Sequence, residues 1–395
     1  MSKVGIIGGG FSGIVAAIYA SKTNEITIFE RNSDILKKLL LTGNGRCNFF
    51  NSKQGINYYH SNNIDKLKDI INDNNINELI NFYHNIGIEF KEKDGYYYPY
   101  SNQAISVKNA LVNKLKETNT KIVTDYFVET IKKENNKFII NNEYEFDKVI
   151  IAAGGSSYPI TGSDGNMYNI LKDLGIKVTN IYPALSPLVT DDKYLKELSG
   201  VRSNANISFY SNDKFIKDEM GELQLTDYGI SGICVFNLSY LYNIYKNCYV
   251  LINFIPFIET KEELEKYLDN KDKLMGEKTI SELLNGVLNN KIINVIIKKS
   301  NIKDIKYKNL DKNEKDILLD NIFSYKMNIT DIKGFNKSQV TMGGVDLSEI
   351  DMKTMEVINV PGLYIIGELL DIDGICGGYN LTHSFITGYI VGKNI

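Results

Sequence analysis

The residues best suited to chemistry stand near the start of the chain. Gly8-Gly9-Gly10-Phe11-Ser12-Gly13 is a GxGxxG run. In such a run Gly8 permits a tight turn, Gly10 lets backbone approach a pyrophosphate, and Gly13 lets a helix pack on a strand. The helix N-terminus then turns its N–H groups toward the phosphates. Glu30 follows twenty residues after Gly10, placed to accept hydrogen bonds from an adenosine ribose. Glu30 would serve FAD or NAD equally. The choice between them rests on the C-terminus, where Gly367-Glu368, Asp371 and Gly374 through Asn380 return to the same kind of chemistry. In large FAD-binding folds a final strand brings a carboxylate to the ribityl chain. The next helix aims its N-terminus at the flavin's pyrimidine side, favouring the negative charge that builds there on reduction. FAD is the expected cofactor.

These residues need elements to hold them. Lys3 to Ile7 is a short apolar run before the glycines, Ile14 to Ala20 is rich in helix formers, and Glu25 to Phe29 alternates before Glu30. Phe146 to Ala153 reads as a buried strand running into Gly154-Gly155. Gly362 to Ile366 is another, followed by a glycine-rich loop and a helix from about Leu381 to Gly392. Buried strands that each end in glycine fit a parallel sheet with ligands at its carboxyl edge.

Between the second and third of these units the pattern changes. Residues 186–258 and 327–342 are strand-like with polar turns, whereas 259–325 have helical spacing, with Thr260 and Glu263 forming a capping box. The fold class is therefore α/β. A Rossmann-like, glutathione-reductase-like FAD-binding domain (1–186 and 343–395) is interrupted by a β-barrel-like domain (187–258 and 326–342) carrying a helical subdomain (259–325).

Composition narrows the classes. The chain has 395 residues, 43% hydrophobic and 24% charged, with a net charge of −3. That is the balance of a globular protein, and it offers no basic footprint for nucleic acid or an anionic membrane. Cys47, Cys234, Cys248 and Cys376 are widely spaced, so neither a disulfide framework nor a zinc site is expected. The only histidines, His60, His84 and His383, have no metal-ligand spacing. Val4 to Ser21 contains too many glycines for a signal peptide, and polar residues break Ile230 to Tyr245, which reads as buried core. A soluble cytoplasmic protein without a metal is expected.

Lys37-Lys38-Leu39-Leu40-Leu41-Thr42-Gly43-Asn44-Gly45-Arg46-Cys47-Asn48 resembles the signature of a bacterial flavoprotein family that includes aminoacetone-oxidase-like and bile-acid-reductase-like enzymes. Further blocks agree in the family's order: Tyr98 to Ala104, Gly154 to Gly165, Pro183 to Leu188, Gly221 to Gly232, Val340 to Val345 and Gly367 to Asn380. Thr42 and Thr382-His383 depart from the residues common there, which touches the substrate pocket more than the cofactor. The resemblance implies FAD held by Gly8, Gly10, Phe11, Ser12, Gly13, Glu30, Arg31 and Lys38. It adds the loop with Thr42, Gly43, Gly45, Arg46, Cys47 and Asn48, a backbone contact to adenine near Val128, and the Ala153-Gly154-Gly155 turn. Gly367, Glu368, Gly378, Tyr379, Asn380 and Leu381 complete the set.

Catalytic side chains are harder to single out. Tyr158, Tyr228 and Tyr379 could donate a proton, although the chain has 26 tyrosines. His383 could do the same or simply pack, and Arg46 could anchor an anion or form a structural ion pair. A redox pair of Cys47 and Cys376 lacks the spacing of a dithiol motif. The expected function is hydride exchange between FAD and a small organic substrate, since flavin carries the hard chemistry. The direction is open: reduction of an activated double bond, with NAD(P)H as transient donor, or oxidation of an amine. Rival readings are a flavin-dependent nucleic-acid-modifying enzyme and a non-catalytic flavin sensor. Clustered basic residues or a fused output module would mark these, and neither is visible, so no nucleic-acid or membrane partner is expected.

Overall fold

Complete burial of Val4 and Ile6, with Ile7 nearly so, makes β1 (Lys3–Ile7) an interior strand. The computed structural model describes residues 1–395. It places β1 between β2 (Glu25–Phe29) and β3 (Lys148–Ile151), parallel to both. β4 (Leu363–Ile365) runs parallel beside β3, and Lys121–Val123 beside β2. Ile350–Asp351 and Glu356–Val357 add an antiparallel edge beyond β4, completing a sheet of seven strands. Parallel strands covered on both faces are apolar along their length, as β1 and β3 are.

The order β4-β3-β1 sets three strand ends side by side, and each leads into glycine: Gly367, Gly154 and Gly8. α1 (Phe11–Ala20) follows β1, and α2 (Tyr379–Asn394) follows the last glycine-rich loop. The two helices cross closely. A Cβ on Gly388 would lie 2.6 Å from the Ser12 carbonyl oxygen, and one on Gly392 2.8 Å from that of Ala16. The C-terminal helix is thereby locked to the helix that starts at the first glycine turn.

The chain forms two units, Met1–Ala184 with Ser338–Ile395, and Leu185–Lys337. The break falls at 338 rather than the expected 343 because Val340–Met342 pairs with Tyr182–Ala184 inside the first unit. The second unit contains a closed six-stranded barrel in which Arg202–Ser211, Lys214–Leu225, Cys248–Asn253 and Tyr325–Ile332 supply the long strands. Burial alternates along Arg202–Ser211 as a half-buried strand requires. The expected capping box at Thr260 and Glu263 starts helix Lys261–Met275, and two more start Ile280–Leu284 and Lys312–Phe323.

The expected helical stretch is packed on the barrel: Leu264, Ile293 and Leu318 share one core with the barrel's Phe209 and Val250. One expectation needs correction. Within 186–258, Ile233–Ser239 and Leu241–Ile244 are helical, not extended. Gly232, at φ +106°, turns the chain out of the preceding strand. Cys234, Val235 and Leu238 are then buried at helical spacing. No helix is long and apolar enough to cross a membrane.

Candidate cofactor and active site

The first glycine turn is tight where protein surrounds it and open where a ligand would lie. A Cβ on Gly8, at φ +108°, would sit 2.4 Å from the Ala152 carbonyl oxygen, and one on Gly13 2.2 Å from that of Gly8. At Gly10 the nearest atom would be 4.0 Å away. Gly10 is the N-cap of α1, no side chain caps the helix, and its first turn carries no acid. Phe11 and Ser12 are buried behind it. An uncapped helix terminus beside open space is the geometry that takes a phosphate.

Glu30, at the end of β2, is buried and fixes this turn. Its Oε2 accepts from the Gly9 amide at 2.9 Å, and Oε1 accepts from the amide and side chain of Asn32. The chain after Lys121–Val123 returns to the same place, Tyr126 N–H donating to the Glu30 carbonyl at 3.0 Å. Val128, buried, lies two residues further on. Arg31 pairs with Asp164 at 2.6 Å, and its guanidinium lies 4.7 Å from the Phe127 ring centre.

The loop at Thr42–Asn48 is wound by its own backbone. Gly45 and Cys47 N–H groups both donate to the Thr42 carbonyl, while the Gly45 carbonyl accepts from Ala104. Gly43 is needed at φ +56°, where a Cβ would meet the Asn48 nitrogen at 2.8 Å. Asn48 Nδ2 donates to the carbonyls of Tyr97 and Phe50. Lys38, just before this loop, forms an ion pair with Glu368. Glu368 Oε1 accepts from the Thr341 amide at 3.1 Å. Thr341 Oγ1 in turn accepts from the amides of Ser156 and Ser157, directly after Ala153-Gly154-Gly155. Gly155 makes this junction possible, because a Cβ would lie 2.4 Å from Thr341 Oγ1. Lys38, the middle turn and Gly367-Glu368 thus meet at the carboxyl edge of the sheet.

The last loop is set by a chelate. Asn380 accepts from the Gly374 amide and donates to its carbonyl, at 2.8 and 2.7 Å. Gly378 caps α2 with φ +95°, against the backbone of Phe50. Tyr379 stacks on Tyr58 at 4.9 Å, and the Tyr59 hydroxyl donates to the Tyr379 carbonyl. Leu381 packs partly buried behind them.

The catalytic candidates separate by environment. Tyr158 is half-buried in a left-handed conformation, φ +56°. Tyr379 is buried, and desolvation pushes its hydroxyl above the usual range. Arg46 is exposed, lying over the Tyr98 ring at 5.1 Å and donating to the Gly43 carbonyl. His383 cannot be a proton donor to substrate. It is fully buried, neither ring nitrogen has a partner, and burial holds its pKa down to about 3. Cys47 is equally sealed, its thiol pushed up to about 12 by desolvation, so it is no half of a redox pair. Sequence reasoning missed Thr341, and it missed Asp373, whose buried carboxylate meets His60. The repeated acid in Asp371-Ile372-Asp373 was a signal for the latter.

The model of the HI0933-like protein Rossmann domain matches residues 2–394. The chain belongs to this family. It is 34% identical to the 3-dehydro-bile acid delta(4,6)-reductase of Clostridium scindens, covering 100% of this chain and 98% of that protein. It is 28% identical to the ribosomal RNA dihydrouridine synthase of Haemophilus influenzae over 99% of this chain and 97% of that protein. The Escherichia coli protein of the same description is 25% identical over 99% and 97%. Among solved structures, the open conformation of a flavocytochrome c3 fumarate reductase superposes with a TM-score of 0.51 at 13% identity. The superposition covers 100% of this chain and 78% of that one, a likeness of fold. This HI0933-like protein is an FAD-dependent oxidoreductase.

Proposed function

We propose that this HI0933-like protein reduces a carbon–carbon double bond conjugated to a carbonyl, drawing electrons from NAD(P)H. The observation that carries the reading is full-length similarity at 34% identity to a reductase of that substrate type. Dihydrouridine, named in the other relatives, is also the product of reducing a double bond conjugated to a carbonyl. Both named reactions therefore run in the reductive direction, which favours a reductase over an amine oxidase. Bound FAD would supply the hydride.

The protein's own residues would bind, orient and tune. The amides at the start of α1, with Gly10 leaving space, would take the diphosphate, and Glu30 the adenosine end. Val128 would lie by the adenine, with Arg31 and Lys38 nearby as cations. The Thr42–Asn48 loop, Ala153 to Gly155 and Gly367-Glu368 would line the middle of the cofactor. Gly378 to Leu381 would present the α2 N-terminus to the flavin's pyrimidine side, where negative charge develops. A cytoplasmic setting suits an NAD(P)H donor.

A second reading, modification of ribosomal RNA, draws on the 28% and 25% relatives. One anaerobic experiment separates these readings. The protein is reduced with NADPH or NADH and then mixed with a 3-oxo-Δ4 steroid, with unmodified ribosomal RNA, or with oxygen. Fast flavin reoxidation by the steroid supports the small-molecule reading. Reoxidation by RNA alone supports the second, and by oxygen alone refutes both.

A further inference from the structure

One of the chain's three histidines, His60, has a setting unlike the other two. His84 is exposed on helix Asp73–Asn85 beside the Phe90 ring, and His383 is sealed in the core. His60 lies on the two-residue strand Tyr59–His60, which pairs antiparallel with Asp373–Gly374 so that His60 stands opposite Asp373. Its Nδ1 is 2.9 Å from Asp373 Oδ2. The imidazole keeps 22% of its side-chain surface exposed, while that of Asp373 keeps 2%. The other carboxylate oxygen, Oδ1, is buried without a hydrogen-bond partner. A buried carboxylate behind a partly exposed imidazole fixes the ring's orientation and turns Nε2 away from the carboxylate.

This pair is joined to the loop that starts α2. Gly374, next to Asp373, is the residue chelated by Asn380. Tyr59, next to His60, donates to the Tyr379 carbonyl, and Tyr58 stacks on the Tyr379 ring. The pair is thus tied by backbone and side chain to the segment assigned above to the flavin's pyrimidine side. Other titratable groups near it are Asp371, Asp346 with its partner Lys177, and the hydroxyls of Tyr58, Tyr59, Tyr96 and Tyr379.

We propose that His60, oriented by Asp373, is the catalytic acid that delivers the proton when the double bond is reduced. This rests on the reductase reading. The hydride reaches the carbon β to the carbonyl, and the His60 Nε2 proton goes to the α carbon. The π bond is replaced by two C–H bonds, reduced flavin returns to its oxidised state, and the neutral imidazole regains a proton from solvent. Asp373 is a positioning residue, since it acts through His60.

The test uses FAD-loaded protein with labelled histidine, in which three imidazoles give three assignable NMR signals. In the wild type, the His60 signal should move when the flavin is reduced, because negative charge then develops nearby. His60→Gln keeps an N–H donor for Asp373. In it, flavin reduction by NADPH should be unchanged, and reoxidation by an enone should slow by about 100-fold to 10,000-fold. Asp373→Asn should move the His60 ring signals and slow reoxidation by the enone. A wild-type His60 signal at the same position in both redox states would overturn the assignment, as would full-speed reoxidation of His60→Gln. If the wild type refuses enones altogether, the reaction reading falls, and the imidazole signal still decides whether His60 senses flavin charge.

Discussion

The Glu30 carboxylate grips the Gly9 amide at 2.9 Å, so the acid that ends β2 also sets the glycine turn that ends β1. With Asn32 donating twice to the other oxygen, three of roughly four acceptor positions of the carboxylate are used inside the protein. The turn is therefore held by the protein's own groups, and its glycines can be tested one at a time.

Gly10 and Gly13 should respond differently to the same change. Gly10→Val should leave a folded protein that no longer retains FAD, because the space beside Gly10 is free of protein. Gly13→Val should unfold the first unit, because the side chain would drive into the Gly8 carbonyl. Circular dichroism and flavin absorbance of both variants check this. Full FAD occupancy in Gly10→Val would place the phosphates elsewhere.

Thr341 should matter for stability out of proportion to its size. Thr341→Val strands the buried amides of Ser156 and Ser157, at about 1–3 kcal/mol for each group left unpaired. Thr341→Ser keeps the acceptor and should cost much less. Urea titration of the pair is the measurement, and equal midpoints for both variants would refute the accounting.

Cys47 should be inert in the native state. A buried thiol raised to about 12 offers almost no thiolate at neutral pH. A maleimide probe should label Cys47 only after denaturation, and Cys47→Ala should keep flavin turnover. Rapid labelling of the native protein at this residue would reverse the conclusion.

Two buried groups should tilt the stability curve in opposite directions. Burial raises the Asp371 carboxyl from 3.8 to about 6. Its contribution is fully present below about 3.8 and is lost as pH rises through about 6, so Asp371→Asn should stabilise above that pH and not below. The shift corresponds to roughly 3 kcal/mol at most. His383 is depressed from 6.5 to about 3, so its contribution is present above 6.5 and is lost as pH falls toward 3. His383→Leu should flatten that acid-side slope. Denaturant midpoints across this range, measured for both variants, decide the signs.

Much of the first unit was legible in the chain because its information is local. Gly8, Gly10, Gly13 and Glu30 lie within one strand-turn-helix-strand run, where sequence spacing is already spatial spacing. The capping box at Thr260 and Glu263 is local in the same way. The C-terminal glycines were legible only through their pattern and the family resemblance. What the sequence could not decide was pairing across long separations. The order β4-β3-β1 places Gly367, Gly154 and Gly8 together, and Lys38 finds Glu368 across 330 positions. Burial also belongs to the tertiary structure. His383 and His60 are the same residue type, yet α2 packs one into the core, where its charge is lost. A two-residue strand pairing sets the other against a carboxylate, partly open to solvent. A residue type specifies what a group could do. The dielectric and the partner it meets after folding decide what it does.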